Sequence, residues 1–189
     1  MRGKLFVLVV MFAFLGCSSI AIAQLDSSDT TDYIEWDHKR PLSWSNFQGK
    51  PDSTLIKESK DAASAIIIRF EGHVFDFKVR TLFDPSTAWS MSKTDMFLLE
   101  HEQIHFDIAE LLARKMRQEM TQLQVDGETD LEKFKEVFSR RYSEYGSLTT
   151  KYDEETVHGT SPGIQNEWKA KIAKELESLS EYAVKIDYE

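Results

Sequence analysis

Two histidines four residues apart, with a glutamate directly after the first, are the sharpest chemical feature of the sequence. They are His101, Glu102 and His105, in the segment HEQIH. Residues four apart in a helix project from one face, one turn apart, so both imidazoles can reach one zinc ion. Glu102 then lies beside the water that such an ion activates. This HExxH spacing predicts metal-assisted hydrolysis with Glu102 as the general base.

The alternative interpretation is a pair of ordinary core histidines on an amphipathic helix. At about 100° per residue, both histidines fall in the apolar sector with Ile108 and Leu112. The opposite side carries Glu100, Gln103, Asp107 and Glu110. A buried imidazole needs hydrogen-bond or metal partners, and two adjacent ones cannot both carry charge there. The inward pair therefore favours a metal site.

A catalytic zinc site also needs a third protein ligand. If the next helix returns antiparallel about Gly127, the positions level with the histidines fall near 150 and 154, so the acidic segment from Tyr152 to Gly159 emerges beside the metal. We take His158 as the first choice and Asp153, Glu154 and Glu155 as alternatives. In another arrangement one of these carboxylates is the ligand and His158 donates a hydrogen bond to the transition state. The segment also fits a solvated acidic helix end.

Three helices are predicted after Asp84-Pro85. The first opens near Ser92, with Asp95 three residues on, and runs to Val125 before Asp126-Gly127. The second opens at Thr129 and ends near Thr150, and residues 153–163 break the pattern. The third follows Ser161-Pro162-Gly163.

Strands and turns are predicted before the helices, between Tyr33 and Trp89. A β-branched run covers 62–70, and apolar and polar residues alternate between His73 and Leu82, as in a strand with one wet face. Glu71-Gly72 between them predicts a hairpin turn. We expect an α+β fold, with an N-terminal antiparallel sheet or hairpin followed by three helices and HExxH on the first long helix.

Residues 1–23 have the pattern of an export signal. Arg2 and Lys4 precede an apolar stretch over 5–16, and Ala21-Ile22-Ala23 is a small-residue cleavage site. Twelve residues are too few to span a bilayer, which takes about 20. The segment around Cys17 also resembles a lipoprotein signal, so a lipid anchor there is the alternative to release. We therefore expect 24–32 to be a flexible lead-in, 33–189 to be one domain, and the protein to be periplasmic or secreted.

The composition excludes several classes of protein. The chain has 189 residues, 23 Lys+Arg, 32 Asp+Glu and a formal charge of -9. It lacks the basic surface of a nucleic-acid binder, so we expect no nucleic-acid partner and no transmembrane span after signal removal. Its single cysteine excludes an internal disulfide or a cysteine-rich zinc cluster. Oligomeric state is not determined by the sequence.

Three segments resemble a family of bacterial secreted proteins catalogued as a domain of unknown function and described as secreted zinc-dependent proteases. They are LSWSNFQG from Leu42, the HEQxHF core from His101, and the YDxxTxHG element from Tyr152, followed by Gln165 and Trp168. The resemblance spans nearly all of the chain after the signal. It implies a zincin-like α+β domain and adds weight to Asp153, Thr156 and His158.

Together these features predict a secreted zinc metallopeptidase that hydrolyses peptide bonds of a peptide or protein substrate. His101, His105 and His158 would hold Zn²⁺, and Glu102 would move the proton. Tyr152 either donates to the developing oxyanion or is a core aromatic. The competing hypothesis is a non-catalytic exported domain that binds zinc as a scaffold and keeps the same architecture.

Overall fold

The structure is a computed structural model that describes residues 6–11, 32–54 and 61–185. Its strands are β1 (Phe6–Met11), β2 (Ile34–Glu35), β3 (Ala62–Ala63), β4 (Ile66–His73), β5 (Asp76–Phe83) and β6 (Trp89–Ser90). Its helices are α1 (Met96–Val125), α2 (Leu131–Thr156) and α3 (Pro162–Ser178), with short 3-10 turns at Trp44–Asn46 and Ser180–Tyr182. The predicted α+β class, with antiparallel strands before three helices, is confirmed.

The strands form two antiparallel sheets, one of four strands in the order β1-β4-β5-β2 and one in which β3 pairs with β6. The predicted hairpin is present, with β4 and β5 paired from Ile66 opposite Phe83 to His73 opposite Asp76. Its turn lies at Val74-Phe75, just past the predicted position. Gly72 instead lies inside β4 with φ +105°, where an added Cβ would fall 2.1 Å from the Asp76 carbonyl oxygen.

The predicted export signal is described only where it forms β1, which pairs antiparallel with β4 between Phe6 opposite Gly72 and Met11 opposite Ile67. Cys17, the predicted cleavage site and nearly all of the lead-in lie outside the described residues. Among the helices of the described ranges, none has both the length and the apolar character needed to cross a bilayer.

Helix α1 is the centre of the molecule, because the sheet, α2 and α3 all pack against it. Asp95 caps it by accepting hydrogen bonds from the amides of Phe97 and Leu98 at 2.9 and 3.0 Å. The hydroxyl of Ser92 accepts from the Asp95 amide at 3.1 Å, so this residue lies just outside the helix that it was predicted to open. The helix ends at Val125, as predicted.

One residue predicted to face solvent on α1 is buried. Glu110 is only 2% exposed, because it contacts β5 at Thr81 and pairs with Arg114, which in turn contacts the end of α3. Its carboxylate accepts hydrogen bonds from Thr81 at 2.8 Å and from Arg114 at 2.9 Å. The amphipathic pattern therefore underestimated how much of this helix lies in the interior.

Helix α2 is longer than predicted. It opens with Asp130, whose side chain accepts from the Glu132 amide at 3.0 Å. The predicted end near Thr150 is wrong, because the helix continues to Thr156. Thr149 and Thr150 do not stop it, since each hydroxyl donates to a carbonyl one turn earlier. Residue 153 therefore lies in a helix and not in a break.

The segment from Leu42 to Gly49 holds the N-terminal half of α1 in place. The Leu42 amide donates to the Gln103 side chain at 2.7 Å, and the indole of Trp44 donates to the Asp95 carbonyl at 3.2 Å. Lys93 donates to the Phe47 carbonyl at 2.8 Å. These bonds fix the start of the helix that carries both histidines.

Candidate metal centre

Three side chains from two helices converge on one point. His105 Nε2 lies 2.9 Å from Asp153 Oδ1, and His101 Nε2 lies 3.2 Å from the same oxygen and 3.2 Å from His105 Nε2. All three residues are buried, and their potential ligand atoms lie within 4.8 Å of one another. Within the described ranges this is the one group of histidine, cysteine and acidic residues that could hold a metal ion.

Asp153 is held as an anion in this cluster. Burial alone would raise the pKa of its carboxyl, but hydrogen bonds from His101 and His105 and their charge hold that pKa well below its usual range. The two other acidic candidates lie elsewhere: Glu154 is exposed, and Glu155 accepts a hydrogen bond from the Trp168 indole at 2.8 Å. Of the four residues considered for the third position, Asp153 is the one that the structure brings into the cluster.

His158 lies at the rim of the site. Its Nδ1 is 4.0 Å from Asp153 Oδ1, and its side chain is 59% exposed. It follows the C-terminus of α2 in a turn where Val157 and His158 both have φ +51° and Gly159 has φ +79°. Such left-handed backbone is unfavourable for the two non-glycine residues. It turns the chain away just after the end of α2 at Thr156 and leaves His158 at the opening.

Gly159 packs directly on the ring of His101. A Cβ at this position would lie 2.9 Å from His101 Cγ and 3.2 Å from Nδ1. That Nδ1 is buried and has no hydrogen-bond partner within the described part of the chain. The glycine of the YDxxTxHG element therefore leaves room for the imidazole, which presents its other nitrogen, Nε2, to Asp153.

Tyr152 supports the histidines from behind. Its ring stacks on His101 with centroids 4.7 Å apart and meets His105 edge-on at 4.9 Å. It is completely buried, and its hydroxyl donates to the His101 carbonyl at 3.4 Å. Of the two roles considered for Tyr152, these contacts match the core aromatic.

Glu102 is the remaining member of the motif, and it is 5% exposed. Its Oε2 accepts a short hydrogen bond from the hydroxyl of Ser64, which lies between β3 and β4. The carboxylate is thus fixed by the strand region across from α1. Nothing in the sequence around Ser64 signalled this contact.

A cavity of about 550 Å³ opens onto these side chains. One wall is the strand segment from Asp61 to Ile66, and another is the turn from Val157 to Thr160. The residues that line it include His101, Glu102, His105, Tyr145, Asp153 and His158, together with the charged residues Lys50, Asp52, Asp61 and Asp95. A buried polar cluster at an open cavity of this size has the form of a small-molecule or peptide binding site.

A protein-family model matches the part of the chain that contains this site. Residues 81–159 match the family model described as a bacterial protein of unknown function (DUF922). The stretch runs from β5 to Gly159 and contains the two histidines, Glu102 and Asp153. Comparisons with curated proteins and with solved structures found no match. The predicted resemblance to a bacterial domain of unknown function is supported over these residues, and the family description gives no activity.

Proposed function

We propose that the protein is an exported zinc-dependent peptidase of the zincin type. The observation that carries the proposal is the meeting of His101, His105 and Asp153 beside Glu102 at the wall of an open cavity. Structural zinc sites are normally closed by four protein ligands, whereas catalytic ones have three and an open position. Two histidines and one carboxylate are a donor set of the catalytic kind.

The residues fit a zinc ion. Four tetrahedral ligands at about 2.0–2.2 Å from zinc lie roughly 3.4 Å from one another. The three separations within the cluster, 2.9, 3.2 and 3.2 Å, are close to that value. The open coordination position would face the cavity. In this arrangement Asp153 is the third ligand and His158 is free for another role at the opening.

Zinc bound there would supply a Lewis acid for peptide hydrolysis. Glu102 would accept a proton from the water whose oxygen attacks the carbonyl carbon of the substrate. As the C–N bond breaks, the same carboxyl would pass that proton to the leaving nitrogen, so one group serves as base and then as acid. Ser64 would hold Glu102 in the orientation that this requires.

The test removes the proton carrier without removing the site. Glu102→Gln keeps the shape of the side chain and can still accept from Ser64. We expect its zinc content and melting temperature to match the wild type, while cleavage of an unstructured peptide mixture, followed by mass spectrometry, falls by about 10²- to 10⁴-fold. Glu154→Gln, an exposed change next to Asp153, is the matched control and should cleave normally.

Two other outcomes would replace the proposal. If zinc-loaded wild type cleaves nothing in the mixture but binds peptides, the protein is an exported zinc-containing binding domain. If chelation lowers the melting temperature sharply and neither cleavage nor binding is found, the ion only braces α1 against α2, since its ligands come from both helices.

A further inference from the structure

Tyr145 lies on α2 two turns before Asp153, on the stripe that faces α1. It is 6% exposed, its ring meets Tyr142 edge-on with centroids 5.9 Å apart, and it lines the same cavity as the histidines and Glu102. Its sequence neighbourhood predicts only a core aromatic.

The hydroxyl of Tyr145 is nevertheless unlike that of a core tyrosine. It makes no hydrogen bond with any residue in the described ranges, and it is not one of the polar atoms sealed in the interior without a partner. A buried tyrosine hydroxyl normally finds a partner. Because Tyr145 lines the cavity, a molecule bound there is the partner still open to this hydroxyl.

Tyr152 is the tyrosine that the sequence suggests as an oxyanion donor, but its hydroxyl is already hydrogen-bonded. Its hydroxyl is directed to the His101 carbonyl, and the ring is enclosed by His101, His105 and Trp168. It is therefore placed to support the ligands from behind and not to contact a substrate.

We propose that Tyr145 is a catalytic residue that donates a hydrogen bond from its hydroxyl to the substrate oxygen on which negative charge develops. This inference rests on the proposed peptidase function and assigns its oxyanion donor. Only a hydrogen bond forms, so the proton stays on Tyr145 and the proton carrier remains Glu102. A preorganised donor directed at the position where charge develops stabilises the transition state more than the ground state.

The surroundings of Tyr145 keep it in the donor form. Burial raises the pKa of its hydroxyl well above the usual value, and the nearby Tyr142, Asp153 and Glu102 raise it further. A neutral hydroxyl can donate a hydrogen bond over the whole pH range in which the histidines could hold a metal.

The experiment compares Tyr145→Phe with Tyr142→Phe, which removes the same atom one turn away outside the cavity lining. For Tyr145→Phe we expect kcat for peptide cleavage to fall by about 10²- to 10³-fold with KM little changed, as when one oxyanion donor is lost. Zinc affinity, measured by competition with a chelator, should equal that of wild type. Tyr142→Phe should retain both.

A second measurement does not depend on turnover. A phosphinic peptide, whose tetrahedral anionic group imitates the charged intermediate, should bind zinc-loaded Tyr145→Phe about 10- to 100-fold more weakly than wild type by calorimetry, because one hydrogen bond to a charged group is lost.

The two measurements separate the inference from the function on which it rests. If wild type cleaves peptides and Tyr145→Phe keeps both kcat and phosphinic affinity, the assignment of Tyr145 is wrong and the peptidase remains. If wild type cleaves nothing yet the variant loses phosphinic affinity, the donor role stands and the peptidase proposal is wrong. If Tyr145→Phe loses zinc, Tyr145 is a structural residue and the donor role is wrong.

Discussion

Asp153 and His158 are five residues apart, but the end of α2 lies between them and gives them different surroundings. Asp153 is still in the helix and points at the histidines, whereas His158 follows the left-handed turn and is exposed. We expect Asp153→Ala to weaken zinc binding by more than about 100-fold, since outer-shell partners alone are worth about 10- to 100-fold. Chelator competition measures this affinity.

His158→Ala is the matched variant for that experiment. It should bind zinc nearly as well as wild type, because its imidazole lies outside the cluster. If His158→Ala loses zinc while Asp153→Ala keeps it, the first choice made from the sequence is right, and the metal lies nearer the opening than the cluster suggests.

Gly159 gives a second prediction at the scale of one residue. In Gly159→Ala the new methyl group would meet the His101 ring at 2.9 Å in a backbone with φ +79°. We expect a loss of about 1–2 kcal/mol in the free energy of unfolding from the left-handed backbone alone, together with weaker zinc binding as the imidazole is displaced. Urea unfolding and chelator competition measure the two effects.

Gly146→Ala is the control for Gly159→Ala. It lies inside α2, and nothing within 4 Å would meet its Cβ. The change should stabilise the protein by about 0.5–1 kcal/mol and leave zinc affinity unchanged. Equal zinc affinity in both variants would show that Gly159 is needed for the turn and not for the ring of His101.

At the scale of helices, a network of charged side chains lies on a buried side of α1, where the amphipathic pattern predicts solvent. Glu110 Oε1 accepts from Arg114 at 2.9 Å and from Arg117 at 2.6 Å. Arg114 also donates to the Leu176 carbonyl at 2.6 Å, and Arg117 donates to the Val79 carbonyl at 2.7 Å. One carboxylate thus joins α1 to the sheet and to the end of α3.

Removing that carboxylate should be costly. In Glu110→Ala the buried guanidinium of Arg114 and the partly buried one of Arg117 lose their counter-charge, and breaking a buried ion pair costs about 3–5 kcal/mol. Glu119→Ala removes an acid from the same helix that also pairs with two arginines, but nearer the surface, where a pair is worth about 0–1 kcal/mol. Denaturant unfolding compares them; equal losses would mean that the Glu110 network adds little to stability.

Local sequence signals predict some of the helix ends and not others. The end of α1 and the start of α3 follow from local signals, Asp126-Gly127 and Pro162 in the first turn, whereas α1 is capped by Asp95, three residues after the predicted Ser92. The end of α2 does not, because its last turn is polar and is stabilised by packing of Tyr152 against α1 and Trp168.

The position at which α2 ends also bears on the choice of the third ligand. If α2 continues, Asp153 falls four residues after Thr149 and eight after Tyr145, on the inward stripe, while Glu154 turns outward. A helix that ends near Thr150 does not extend this inward stripe to Asp153, and His158 is then favoured for its residue type. Ser64 and the free hydroxyl of Tyr145 depend on contacts between distant segments, which no local pattern encodes.

At the scale of the whole molecule, residues 6–11 belong both to the predicted export signal, which would be removed, and to the four-stranded sheet. Strand β1 pairs with β4, but cleavage after Ala23 would remove it and open the β4 edge between Ile67 and Gly72. An open edge can pair with other chains. The processed chain would carry a formal charge of -11, since Arg2 and Lys4 are lost from 23 basic residues against 32 acidic ones. This net charge opposes such association.

We therefore expect the chain that begins at Gln24 to fold and to bind zinc as the full chain does. The buried face of β4 packs on α1 and α2 through Ile66, Ile68 and Phe70, and these contacts do not involve β1. Circular dichroism, light scattering and chelator competition on the two chains check this.

In cells, intact-mass measurement of the exported protein should give an N-terminus at Gln24, unchanged by Cys17→Ser. A lipid-modified N-terminus at Cys17, lost in that variant, would instead establish an anchored protein, and an unfolded Gln24 chain would make β1 part of the working fold.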